Sequence, residues 1–128
     1  GEARYHRHAA GVLRLLAPAT ARRPGAFGHL LQALDLELGG GGEFAVVWPA
    51  DEGPGPAAEL LAEYRSAYRP RFVLAAGPEG SSTPALLDGR RTTDGRPAAF
   101  VCRDFACRAP VSDPGEFARE LAEVESSG

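Results

Sequence analysis

The chain has 128 residues, a formal net charge of −3 and 44% apolar residues, with no uninterrupted apolar run of about 18 residues, so it suits one small domain and excludes a membrane-spanning helix. All 14 basic residues are Arg, spread without a basic tract, which argues against a nucleic-acid surface. Two cysteines are too few for a disulfide scaffold at this length, and the first residues form neither a signal nor a transit segment, so a cytoplasmic location is expected.

Sixteen Gly and 11 Pro interrupt the backbone often, and loops are expected to be plentiful. Ala supplies 23 of the apolar residues while Ile and Met are absent, so the core is expected to be small or Ala-rich. Tyr5, Val12, Leu13, Leu15 and Leu16 mark a helical face over residues 3–17, weakened by Gly11 and stopped by Pro18. Pro24 opens a second helix in which Phe27, Leu30, Leu31, Leu34 and Leu38 recur at steps of three and four, until glycines 39–42 end it.

Residues 43–48 form one apolar run bounded by polar or glycine-rich chain, the pattern of a short buried strand that Pro49 ends. A Pro/Gly loop follows, and residues 57–68 then place Ala58, Leu60, Leu61, Tyr64 and Tyr68 near one helical stripe. Phe72, Val73 and Leu74 supply a strand over residues 71–76. Strand, helix and strand together have the length of a parallel crossover unit. Residues 77–97 read as loops around a short apolar turn at 84–87, and residues 98–102 as a further strand. Asp113 can cap a last helix that buries Phe117, Leu121 and Val124.

This order predicts a single α/β domain, a three-layer sandwich with a small, mainly parallel sheet, in which residues 1–38 are a helical lead-in and residues 43–125 the strand–helix portion. The Phe27, Leu31 and Leu34 stripe is a candidate interface through which the chain would form a homodimer, and Trp48, at the end of an apolar strand, suits core or interface packing.

The residues that could carry chemistry are few. Cys102 and Cys107 flank a turn able to bring two sulfurs together, and Arg103 and Arg108 beside them would favour a thiolate, so a disulfide-exchange pair with Cys102 attacking and Cys107 resolving is one reading; a packed or reduced pair is the other. Their spacing lacks the tight helix-start arrangement of a CxxC pair. His6 and His8, two residues apart, cannot present one face to an ion, and His29 suits packing, so no metal site is expected. Glycines 39–42 precede a strand instead of following one, which fails the logic of a phosphate loop. Asp51, Glu52 and Gly77, at the carboxyl ends of the first two strands, are weak candidates for a small-ligand site. No cofactor is expected.

Residues 95–114, GRPAAFVCRDFACRAPVSDP, resemble the carboxyl-terminal signature of the thioredoxin-domain-containing family of spermatogenesis-associated protein 20 and its bacterial relatives. The resemblance extends to residues 24–35, 43–47 and 84–89, and so covers most of the chain. It implies a longer protein, in which a thioredoxin-like domain and an α/α toroid precede a small α/β appendage. The first two helices would then be the tail of the toroid, and the missing domains would be the partners of this chain. The family's redox centre lies in the domain this chain does not resemble, so the resemblance implies a structural or interaction role without independent catalysis. Cys102 and Cys107 match the terminal motif. Trp48-Pro49 departs from the glycine that relatives place after the first strand, and Asp104 replaces a frequent asparagine, adding negative charge beside the first motif cysteine.

Overall fold

The computed structural model describes residues 3–39, 41–103 and 106–126, which leaves Gly40 of the glycine run and Asp104 of the cysteine motif outside the described residues. The chain divides into two compact units, Gly1–Gly40 and Gly41–Gly128. No described helix is long and apolar enough to cross a membrane.

The first unit holds helices α1 (Ala3–Arg22) and α2 (Gly28–Leu38), joined through a short helical turn at Pro24–Ala26. Helix α1 does not stop at residue 17; it continues through Pro18. A proline inside a helix removes one backbone donor and costs about 3 kcal/mol. The strong helix formers Ala17, Ala19 and Ala21 oppose that loss. Thr20 Oγ1 donates to the Leu16 carbonyl (3.0 Å), and Arg22 Nε donates to the Pro18 carbonyl (3.1 Å), two side-chain hydrogen bonds to the backbone around the proline.

The second unit is built on strands β1 (Glu43–Trp48), β2 (Val73–Pro78), β3 (Ala98–Arg103) and β4 (Ala106–Cys107), with helix α3 (Ala58–Arg65) between β1 and β2 and helix α4 (Pro114–Ser126) at the end. The sheet order is β2-β1-β3-β4. Strand β1 lies between two neighbours and is covered on both faces, so Phe44, Ala45, Val46 and Val47 are all fully buried, which is why its sequence is one apolar run without alternation. Through α3 it connects to the parallel β2, in the register Phe44 to Leu74 and Val46 to Ala76.

The expectation of a mainly parallel sheet is corrected by β3, which runs antiparallel to β1 with Ala45 opposite Phe100, and by β4, antiparallel to β3. The sheet is mixed. A parallel return needs a crossover of a dozen or more residues, usually a helix. Residues 79–97 instead hold one three-residue helical turn, Ala85–Leu87, with positive φ at Gly80, Gly89, Asp94 and Gly95, so the chain doubles back at the end of the sheet where β2 finishes.

Alternation along the strands separates two apolar clusters. On one face α3 and α4 pack Leu60, Leu61, Phe117, Leu121 and Val124 against Phe44, Val46, Ala99 and Val101. On the other, Leu87 closes over Ala45, Val47, Ala75, Ala98, Phe100 and Cys102, with Leu86 beside it.

Candidate functional site: a cysteine pair backed by a guanidinium

Strands β3 and β4 form a hairpin in which Arg103 faces Ala106 and Cys102 faces Cys107. The Arg108 amide donates to the Val101 carbonyl (3.0 Å), which makes residues 101 and 108 a hydrogen-bonded pair and therefore 102 and 107 a non-hydrogen-bonded one, the closer of the two antiparallel pairings. The two α-carbons are 4.0 Å apart and the sulfurs are joined in a disulfide. The partners differ in access: Cys102 is 1% exposed, within the apolar cluster under Leu87, whereas Cys107 is exposed.

A third residue completes the arrangement. Arg90 Nη2 lies 2.9 Å from Cys107 Sγ and 3.4 Å from Cys102 Sγ. Its guanidinium carbon sits 4.9 Å from the centroid of the Phe100 ring, and its Nε donates to the Leu86 carbonyl (3.3 Å). The half-buried side chain is thus held at three points. Its backbone is positioned in turn: the Arg90 amide donates to the Leu87 carbonyl (3.1 Å) across Gly89, whose φ of +70° a side chain would resist.

The far end of the same loop is tied down by Glu79, which accepts from Thr92 Oγ1 (2.6 Å) and Arg91 Nη1 (3.2 Å). The Thr92 hydrogen bond, aided by Arg91, holds the Glu79 carboxyl below its ordinary value. Beyond it the chain turns on Asp94 and Gly95, both at positive φ, with Thr93 and Arg96 paired across the turn, the backbone expected of an Asp-Gly hairpin.

Arg103 follows Cys102 directly in β3 and so projects from the opposite face. Arg108 donates to Glu123 Oε2 (2.7 Å), an interaction that raises its pKa. The cation at the sulfurs is therefore one the sequence reading missed. No local signal marks it, because Arg90 is 12 residues from one cysteine and 17 from the other. Cys107 also borders a surface depression of about 270 Å³ that Arg103, Arg108, Val101 and Val124 line as well.

The remaining candidates lie apart from the pair. Asp51 and Glu52 are exposed on the loop after β1, while Gly77 is buried in β2. A Cβ built on Gly77 would meet Leu87 Cδ1 at 2.8 Å, so a buried side chain already fills the space above this backbone. Trp48 ends β1, half-buried against the cluster that holds α3 and α4. Phe27 and Leu34 are half-buried, and Leu31 is exposed. His6 Nε2 lies 3.8 Å from Glu37 Oε1, and His29 Nδ1 is 3.3 Å from Gln32 Oε1. Among the described residues, no three His, Cys, Asp or Glu side chains are grouped so as to hold a metal ion.

The chain matches no family model, no curated protein and no solved structure.

Proposed function

We propose that the chain is a structural and interaction domain from the carboxyl end of a cytoplasmic, multidomain thioredoxin-domain-containing protein, serving to pack against its other domains. The observation that supports this reading is the apolar surface of the first unit. Leu15 is 79% exposed, Leu38 77% and Tyr5 62%, with Val12 and Leu36 also uncovered, while Leu13 and Thr20 are the buried positions among described residues 4–39. Fully burying a Val or Leu side chain is worth about 1.5–3 kcal/mol, so a partner that covers these side chains gains part of that at each of them. The occupant is the helical domain that precedes this segment in the family it resembles. In the isolated chain a second copy takes its place. The three-layer arrangement, with helices on both faces of the sheet, belongs to the same proposal.

Sedimentation velocity over a wide concentration range tests it. The expected result is a concentration-dependent dimer that the double substitution Leu15→Glu/Leu36→Glu abolishes without loss of helix content. A chain that stays monomeric at high concentration, with residues 3–39 protected from protease, would overturn the reading.

A further inference from the structure

We propose that Cys102 and Cys107 form a thiol–disulfide exchange site in which Arg90 stabilises the departing thiolate, an activity that goes beyond the packing role and is independent of it. The argument begins with charge. A disulfide is neutral and a weak acceptor, so it does not call for a cation, yet Arg90 is held against both sulfurs by Phe100 and the Leu86 carbonyl. No carboxylate among the described residues forms an ion pair with it. The guanidinium gains an anionic neighbour when the bond is cleaved, so it favours the reduced, thiolate-bearing state over the disulfide.

Exposure sets the order of events. An incoming low-molecular-weight thiol, in its thiolate form, reaches Cys107 Sγ, because Cys102 is 1% exposed. A bond forms between the incoming sulfur and Cys107 Sγ; the Cys107–Cys102 bond breaks, and its electron pair departs on Cys102 Sγ, 3.4 Å from Arg90 Nη2. A second thiolate then attacks the incoming sulfur of the mixed disulfide, and Cys107 leaves as a thiolate beside Arg90. Two external thiols are oxidised to one disulfide, the protein pair is reduced to two thiols, and the two protons given up by the external thiols end on the cysteines. The reverse sequence oxidises the pair at the expense of a small-molecule disulfide.

Glutathione is the probe, and the full chain is used throughout. In redox buffers of reduced and oxidised glutathione the pair is expected to interconvert reversibly. Arg90→Gln is expected to shift its equilibrium at least tenfold toward the disulfide, equivalent to a potential about 30 mV more negative. Arg90→Lys, which keeps the charge, is expected to recover part of that shift, a recovery a packing role alone would not produce. A bond that glutathione does not reduce, or an Arg90→Gln equilibrium within twofold of wild type, overturns the proposal. Should the Arg90 variants fail to fold, the single-cysteine variants decide the matter. With oxidised glutathione, Cys102→Ser is expected to form a mixed disulfide at Cys107 at least tenfold faster than Cys107→Ser does at Cys102, and equal or reversed rates overturn the assignment.

Discussion

Cys102 and Cys107 face each other across a two-stranded hairpin whose sequence separation is five, so their disulfide closes one of the shortest loops an antiparallel pair allows. A crosslink stabilises chiefly by restricting the unfolded chain, and the restriction grows with loop length. Reduction should therefore cost about 2 kcal/mol and leave the fold intact. Urea unfolding with and without reductant checks this, the expected change being a lower midpoint at similar slope.

Phe44 is the hub of the helix-covered face. Its ring centroid lies 5.4 Å from those of Tyr64 and Phe72 and 6.2 Å from that of Phe117, and it is fully buried in the central strand. Phe44→Ala should cost about 3–5 kcal/mol, from lost burial and from the cavity that its three aromatic neighbours cannot fill. A urea midpoint unchanged by the substitution would contradict this packing.

Helix α4 begins with a side-chain cap. Asp113 Oδ1 accepts from the Glu116 amide at 2.8 Å, satisfying a donor that has no partner within the helix. Asp113→Ala should lower stability by about 1 kcal/mol, whereas Asp113→Ser, which keeps an acceptor, should lose much less. Paired thermal melts of the two variants distinguish a cap from a general surface effect.

Two carboxylates should tilt the pH dependence in opposite directions. The Glu79 pKa is lowered below 4.5, first by the Thr92 hydrogen bond, so the unfolded chain binds more protons in the acid range; its contribution is present above pH 4.5 and lost as pH falls through the folded value. Glu120 is raised above 4.5, first by burial and despite Arg108, with the Glu123 and Glu116 charges adding to the rise; its Oε2 is buried with no hydrogen-bond partner among the described residues. The folded state then binds the extra proton, and stability from this group falls as pH rises through its folded value. Glu79→Gln should flatten the acid limb of the stability curve, and Glu120→Gln should stabilise the protein at pH 7 with a gain that disappears in acid. Urea midpoints at a series of pH values read both signs.

Much of the fold was legible where local pattern decides local structure. The apolar run at 43–48 is the doubly covered β1, the strand–helix–strand spacing is the parallel β1–α3–β2 unit, and Asp113 with Phe117, Leu121 and Val124 marks α4 and its buried side. Local rules misjudged Pro18, since α1 runs on through the proline to Arg22, with helix-forming alanines on both sides of it. They also placed β2 two residues early, since Phe72 is apolar but packs beside Phe44 before the strand begins.

The amino-acid sequence by itself determined the four helices and the first three strands to within a few residues, and which of their faces are apolar, since periodicity and capping act over a few neighbouring residues, while the two-residue β4 carries no such pattern. The tertiary structure alone decided the direction of β3 and the identity of the cation at the cysteine pair. Strand direction follows from whether the connection carries a crossover helix, and residues 79–97 carry none. Arg90 reaches Cys102 and Cys107 because Gly89, Leu87 and Glu79 fix its loop against the sheet, a placement set by contacts among residues distant in the chain.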